Sequence, residues 1–212
     1  MKTKLFLLTA LLTTGVAAVN AQTSFGIRAG VNFQNLNGED VTGDDFDYKL
    51  KTGFHVGVNA EIPLAAEFYL QPGVLFSMKG AKADDDNDTK VNIGYIEVPI
   101  NFLFKPELGN GKLLLGVGPY VGFGVTGKIK GDGDDVDIEF ANEASGLDAL
   151  RTIRRFDAGG NLLFGYEFSN KLSLQLNAQL GMLNIAPDIE GVPDNDYKIK
   201  NTGFGVSVGY RF

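Results

Sequence analysis

The sequence predicts an all-β protein, an eight-stranded antiparallel up-and-down transmembrane β-barrel with an N-terminal signal peptide. Three observations support this prediction. The first 21 residues have the pattern of an export signal, and the rest of the chain alternates apolar and polar side chains with a period of two. The connections between the alternating segments are alternately short and long. Together these features favour a barrel in the outer membrane of a Gram-negative envelope.

Residues 1–21 have the composition of a cleaved secretory signal. Lys2 and Lys4 form a positive start, an apolar run covers residues 5–18, and the segment ends in the small residue Ala21. The run is shorter than the ~20 apolar residues that a membrane-spanning helix needs. We therefore expect residues 22–212 to form the mature chain, a single outer-membrane β-barrel domain.

The composition narrows the classes of function. The expected mature chain has 17 basic and 26 acidic residues, a formal charge of −9, which makes nucleic acid an improbable partner. The chain has no cysteine, so it forms no disulfide and carries no lipid anchor on a cysteine. After residue 21, no segment approaches ~18 consecutive apolar residues, which argues against membrane-spanning helices.

Eight segments place Phe, Val, Ile and Leu on one face and Gly, amide and charged residues on the other. These segments are 25–34, 53–62, 68–79, 92–105, 113–126, 155–168, 171–183 and 203–212. Connections 63–67, 106–111 and 169–170 are short, whereas 35–52, 80–91, 127–154 and 185–202 are long. An even number of strands with short turns at one rim and long loops at the other is typical of outer-membrane barrels.

The direction of the apolar face is not set by alternation alone, because a soluble lipid-binding barrel alternates as well. The positions of the aromatic residues along the barrel axis favour an outward apolar face, because these residues form two girdles around an aliphatic band. The girdle near the short turns contains Phe25, Phe68, Phe102, Phe104, Tyr166, Phe168, Tyr210 and Phe212. The girdle toward the long loops contains Phe33, Phe54, Phe76, Phe123, Phe156 and Phe204.

Some residues predict irregularities in the sheet. Pro72, Pro99 and Pro119 fall inside strands, where a closed sheet leaves no free edge for a residue without an N–H donor. We expect bulges or local breaks at these prolines, with a slip of one residue beyond them. Asn92 and Gly94 on the expected lipid face predict one such slip in the fourth strand, or entry of this strand into the bilayer only near Ile96.

The polar face predicts a network of charges along the barrel axis. Charges in a narrow tube must pair or stay hydrated, because an isolated buried charge is costly. An eight-stranded lumen is only wide enough for side chains, so we favour a plug, with a selective pore as the alternative. The predicted network contains Arg28, Glu61, Glu97, Arg155, Asp157, Glu167 and Arg211.

No candidate catalytic site emerges from the sequence. His55 is the only histidine, and no serine or carboxylate has an evident position for a triad with it, so we expect a structural role. The long loops carry acidic runs at 39–47, 84–88 and 132–139 that could hold Ca²⁺. Val136 stands where the EF-hand pattern needs an oxygen ligand, which favours a solvated surface. Contact with lipopolysaccharide phosphates through divalent ions is a further hypothesis, and we expect no cofactor or metal.

The last strand ends in an aromatic residue after strict alternation. This ending resembles the C-terminal signal by which the bacterial barrel-assembly machinery recognises its clients. The residues that carry the pattern are Phe204, Val206, Val208, Tyr210 and Phe212.

The whole expected mature chain resembles the PorT-like outer-membrane β-barrel family of Bacteroidota. The motifs are GIRAG at 26–30, YIEVPI at 95–100, GVGPYVG at 116–122, RFDAG at 155–159 and GYRF at 209–212. The resemblance implies a small porin-like barrel without a catalytic motif, and some relatives are linked to protein secretion.

The sequence therefore predicts a barrel with a plugged polar lumen, acidic extracellular loops and a structural or interaction role. A small-solute channel and an accessory barrel in protein secretion are the alternatives. The expected partners are outer-membrane lipid, lipopolysaccharide and the barrel-assembly machinery, with an unidentified secretion or surface partner and no nucleic acid.

Overall fold

The computed structural model describes residues 23–39, 43, 48–83, 89–131, 133, 135–191 and 197–212. The predicted signal peptide, residues 1–21, lies outside the described residues. The same holds for most of the acidic runs at 39–47 and 84–88, and for residues 132 and 134 of the third run. Among the described residues, no helix is long and apolar enough to cross a membrane.

Eight long strands form one closed antiparallel sheet. They are β1 (Ser24–Glu39), β2 (Lys51–Ala65), β3 (Phe68–Ala83), β4 (Lys90–Phe104), β5 (Gly111–Lys130), β6 (Phe156–Glu167), β7 (Leu172–Gly181) and β8 (Lys198–Arg211). Each strand pairs with the next in sequence, and β8 pairs with β1 to close the barrel. The predicted eight-stranded up-and-down barrel is therefore confirmed.

The two faces of each strand differ sharply in exposure. In β7, Leu174 and Leu176 are exposed on the outside, while Ser173, Gln175 and Asn177 are buried in the lumen. Aromatic rings on the outside meet near both rims, mostly across strands, whereas Tyr210 and Phe212 meet along the end of β8. The ring centroids of Phe33 and Phe204 are 5.2 Å apart, those of Phe123 and Phe156 5.3 Å, those of Phe68 and Phe104 4.8 Å, and those of Tyr210 and Phe212 5.4 Å. Such girdles place the aliphatic band between them in the bilayer.

The prolines break the ladder locally without shifting it. The pairing of β3 with β2 lapses beside Pro72, that of β4 with β3 beside Pro99, and that of β5 with β4 beside Pro119. Each register then resumes unchanged, so the expected breaks are confirmed and the expected slips beyond these prolines are wrong. The reason is that a proline lacks one donor, and the flanking rungs hold the alignment.

The register does shift at two other places. One shift lies between Pro63 and Ala65 in the pairing of β2 with β3. The other lies beside Gly94 in the pairing of β4 with β5, where the sequence predicts a slip in the fourth strand. The extra residue is on β5, however, because Gly94 pairs with Thr126 and Tyr95 pairs with Gly124. Val125 and the following Thr126 are both exposed as a result, so the slip occurs in the fifth strand and not in the fourth.

The long-loop end of the barrel is closed by apolar side chains, which we call the outer cap. The strands continue past the upper aromatic girdle, and there the inward face changes from polar to apolar. The cap contains two buried clusters, Leu36, Ala81, Ile185, Ala186 and Ile199, and Ile93, Tyr95, Ile138 and Ile153. Most of these residues lie in segments that the sequence predicts as long loops, and the cap itself was not predicted.

Short elements of the loops hold the cap in place. Glu139–Phe140 pairs in parallel with Thr152–Ile153, and Glu143–Ala144 pairs in parallel with Asp188–Ile189. A 3₁₀ helix spans Gly146–Arg151 between them. The first pairing closes the loop between β5 and β6 on itself, and the second connects this loop to the loop between β7 and β8 at the mouth of the barrel.

Two tyrosines pack against the first cluster of the outer cap. Tyr48 and Tyr197 are partly buried beside Leu36, Ala81 and Ile185. Burial raises the pKa of Tyr48 above its ordinary value, and burial, with the neighbouring Tyr48, raises the pKa of Tyr197 to about 12. Both phenols are therefore neutral at physiological pH, as packing against an apolar cluster requires.

Candidate functional site: the lumen

The short-turn end of the lumen contains a compact ionic cluster, which we call the lower cluster. The Lys105 Nζ lies 2.7 Å from the Glu61 Oε2 and 3.0 Å from the Glu167 Oε2. Arg211 donates to the other oxygen of Glu61 at 2.5 Å, and Gln71 donates to that oxygen at 3.2 Å. Four of these side chains come from different strands and Lys105 directly follows β4, so the cluster ties the wall of the barrel together across its axis.

Amide side chains continue the lower cluster toward the middle of the lumen. Asn101 donates to the Gln71 Oε1 at 3.3 Å, and Asn161 donates to the Asn101 Oδ1 at 2.7 Å. Both asparagines are buried. A Cβ at the inward-facing Gly116 would lie 3.2 Å from the Leu163 Cβ and 3.3 Å from the Leu103 side chain, so the glycine leaves room for these two leucines beside the amides.

A second ionic cluster, the upper cluster, surrounds Lys79. This side chain is fully buried, and its Nζ lies 2.5 Å from the Glu97 Oε1 and 3.1 Å from the Asp157 Oδ2. Tyr120 and Asn201 donate to the same oxygen of Asp157 at 3.2 and 3.0 Å. The Nζ also lies 4.3 Å from the centroid of the Tyr120 ring, a cation–π distance. Lys79 is thus held by two carboxylates and an aromatic face.

The charges inside the barrel are nearly balanced. The carboxylates Glu61, Glu97, Asp157 and Glu167 face the cations Arg28, Lys79, Lys105 and Arg211. Arg28 is buried, and the carboxylate whose charge acts on it is Glu97. Lys51 adds a fifth cation at the outer end, where its Nζ donates to the Lys79 carbonyl at 3.4 Å. Pairing at these distances offsets the desolvation penalty of charges that are buried in a narrow lumen.

The structure brings six of the seven predicted network residues into the lumen and excludes Arg155. This residue is exposed and precedes β6, so the strand alternation does not extend to it. Its guanidinium lies 5.2 Å from the Phe123 ring and 4.9 Å from the Phe140 ring. The prediction that Arg155 joins the lumen network is therefore wrong, because Arg155 stacks on aromatic rings beside the outer cap.

Sequence reasoning also missed the central cations. Lys79 and Lys105 both lie on the polar face of their predicted strands, so the alternation contained the signal. The carboxylates that these lysines contact lie between 18 and 78 residues away in the chain. That information comes from the register of the strands and not from any local motif.

His55 has hydrogen-bond partners that are not evident in the sequence. Its Nε2 lies 2.8 Å from the Ser207 Oγ, and its Nδ1 lies 2.6 Å from the Asn32 Oδ1. This is the order of groups in a hydrolase relay, so the prediction that no serine is in position is wrong. However, Ser207 is 1% exposed, and its Oγ also lies 3.3 Å from the Asn177 Oδ1. A buried serine held on both sides offers no access to a substrate, which makes the relay a structural chain.

A family model for the outer membrane protein beta-barrel domain matches residues 20–186, most of the chain. The chain belongs to this family. The protein is accordingly an outer membrane β-barrel protein, located in the outer membrane, as the sequence predicts. Membership of the narrower PorT-like group does not follow from this match.

Solved structures of other small barrels are similar to this barrel-domain protein. One is the attachment invasion locus protein Ail of Yersinia pestis in complex with the heparin analogue sucrose octasulfate, with 15% identity, 90% and 99% of the two chains covered, and a TM-score of 0.45. Neisserial surface protein A has 13% identity, 90% and 99% coverage, and a TM-score of 0.49. A major outer membrane protein from Thermus thermophilus has 14% identity, 90% and 100% coverage, and a TM-score of 0.44. No curated protein matches the chain.

The closing strand of this barrel-domain protein presents its terminal pattern to the outside. The five residues of the predicted assembly signal are all exposed there; they are Phe204, Val206, Val208, Tyr210 and Phe212. The N–H of Phe212 donates to the carbonyl of Phe25 at 2.8 Å, next to the seam between β8 and β1. Among the described residues, no group of three histidine, aspartate or glutamate side chains is placed to hold a metal ion.

Proposed function

We propose that this protein is a plugged outer-membrane barrel with a structural or interaction role, and not an enzyme or an open channel. The observation that supports the proposal best is the upper cluster, in which the buried Lys79 joins Glu97 and Asp157 across the lumen. The lower cluster and the outer cap add two further barriers along the same axis. An ion that crosses the barrel would have to separate both clusters and displace the cap.

The exposed parts of the protein are then the lipid-facing wall and the loops. The acidic runs at 84–88 and 132–139 lie in connections at the long-loop end of the barrel, which in outer-membrane barrels faces the outside of the cell. We propose that these loops present a negative surface to partners outside the cell. The burial of Ser207 supports the absence of catalysis, because the relay around His55 has no access to a substrate.

Planar-bilayer recording tests the plug. The refolded wild-type protein is expected to give no reproducible single-channel steps, because the two ionic clusters and the cap block the axis. Insertion is verified on the same preparation by protease protection. A variant with Lys79→Ala and Lys105→Ala removes the central cations but leaves the outer cap in place, so it is also expected to give no uniform steps. Uniform ohmic steps from the wild-type protein would contradict the plug.

Two finer assignments complete the proposal. The motifs at 26–30, 95–100 and 116–122 support membership of the PorT-like group, and Phe212 with its alternating strand supports recognition by the barrel-assembly machinery during biogenesis. The resemblance to PorT-like barrels also motivates crosslinking from the outer loops in native membranes, to look for a secretion or surface partner.

A further inference from the structure

Two arginines in the lumen have hydrogen-bond donors that no protein group uses. The Arg28 Nε and the Arg211 Nε and Nη1 are buried and have no hydrogen-bond partner among the described residues. Arg28 is 6% exposed and Arg211 is 9% exposed, so bulk water does not solvate these groups. Because a buried donor without an acceptor is costly, such donors indicate that a water molecule or an ion binds beside them.

The strand pairing places these donors at the same level of the lumen. Gly26 and Arg28 are successive inward residues of β1, and a Cβ at Gly26 would lie 2.9 Å from the Arg211 Nη1. Arg28 also pairs with Gly209 of β8, where a Cβ would lie 2.6 Å from the Ser173 Oγ. Two guanidinium groups and a hydroxyl from the adjacent strands β7, β8 and β1 therefore lie side by side.

The carboxylates of the lumen do not satisfy these donors. Glu97, the carboxylate whose charge acts on Arg28, is bound by Lys79 in the upper cluster. Glu61 binds the Arg211 Nη2, which leaves the other two nitrogens of this guanidinium unpaired within the described part of the chain. The acceptor that fits these donors therefore comes from outside the protein.

The charge of the lumen favours an anion over water alone. Counted with Lys51, five cations face four carboxylates inside the described part of the barrel, an excess of one positive charge. Water supplies acceptor lone pairs but no charge, whereas a monovalent anion supplies both. The Asn59 Oδ1 and the Gln175 Oε1 are buried acceptors without partners among the described residues, so ordered water accompanies the anion.

We propose that Arg28 and Arg211 bind a small inorganic anion, of the size of chloride, inside the barrel, with the Ser173 hydroxyl as a further donor. The narrow eight-stranded lumen favours a monatomic ion over a larger oxyanion. The ion would join β1 to β8, the two strands whose pairing closes the barrel, and so stabilise the folded state. The site is independent of the proposed plug, because a conducting wild-type barrel would leave it intact.

Urea unfolding of the refolded full-length protein in lipid vesicles tests the site, with sodium chloride as the ligand and sodium gluconate to keep the ionic strength constant. An ion that binds only the folded state raises the folding equilibrium constant in proportion to its concentration above the dissociation constant. A tenfold rise in chloride is therefore expected to raise the folding constant about tenfold. Arg28→Gln is expected to remove this dependence. The control Arg155→Gln changes an arginine outside the lumen and is expected to retain it.

A crystal structure of the wild-type protein in sodium bromide is the second measurement, and it decides the matter if Arg28→Gln does not fold. Bromide replaces chloride and scatters anomalously, so one anomalous peak is expected between the guanidinium groups of Arg28 and Arg211. Three results would each overturn the proposal. They are a wild-type folding equilibrium that does not respond when chloride replaces gluconate, an unchanged chloride dependence in Arg28→Gln, and water at the two arginines in place of the anomalous peak.

Discussion

Replacement of Lys79 by alanine is expected to destabilise the barrel by about 3–5 kcal/mol, because it leaves Glu97 and Asp157 buried without their shared cation. Tyr120 and Asn201 would still donate to Asp157, but neutral donors do not offset two carboxylates in one site. The measurement is the free energy of unfolding from urea titration of the refolded protein in lipid vesicles.

The matched control for this change is Lys128→Ala. Lys128 also pairs with a carboxylate, that of Asp137 at 3.5 Å, but both side chains are largely exposed. The expected loss is below about 1 kcal/mol. The triple variant K79M/E97Q/D157N, which removes all three charges, is expected to recover most of the stability lost in Lys79→Ala. A similar loss for Lys79→Ala and Lys128→Ala would show that the upper cluster is not held by charge pairing.

Replacement of Leu176 by arginine is expected to cost about 2–4 kcal/mol in a bilayer, since the side chain lies on the outside of β7 in the aliphatic band. Leu176 is 52% exposed in the isolated barrel, so its side chain packs little against the protein. At an equally exposed position in water, the same change would be nearly neutral. The expected cost therefore arises from lipid and not from lost packing. Unfolding in vesicles measures it.

Leu150→Arg serves as the control for this prediction. Leu150 is 73% exposed in the short 3₁₀ helix of the outer loops, and water surrounds it there. Its replacement is expected to change the stability by less than about 0.5 kcal/mol. If Leu176→Arg were as well tolerated as Leu150→Arg in vesicles, the outer face of β7 would not be in contact with lipid.

Much of the fold can be predicted from the sequence because a membrane barrel imposes simple local rules. The period of two places Leu174 and Leu176 on one face of β7 and Gln175 on the other. The same alternation along all eight strands sets which side chains face the lumen and which face outward. Phe33 and Phe204 are far apart in the chain, yet their positions along their predicted strands place both at the long-loop rim. Their rings meet across the seam between β1 and β8.

The site was less predictable because its contacts depend on register and on loop packing. Nothing local in the sequence indicates that Lys79 meets Asp157, or that Ser207 meets His55. The alternation predicts Arg155 in the lumen only if β6 begins at residue 155, whereas the strand begins at Phe156. The outer cap escaped prediction because the inward face becomes apolar beyond the membrane. Ile93 is fully buried inside the cap, whereas Lys90, on the opposite face of β4, is partly exposed.

Depth-dependent fluorescence quenching tests the outward direction of the apolar face most directly. The chain has no tryptophan, so Leu176→Trp and Phe204→Trp each introduce a single reporter. In vesicles of brominated lipids, the probe at 176 is expected to be quenched most by bromines near the chain ends, and the probe at 204 by bromines near the headgroups. Absence of quenching at 176 by every brominated lipid would contradict a lipid-facing apolar wall.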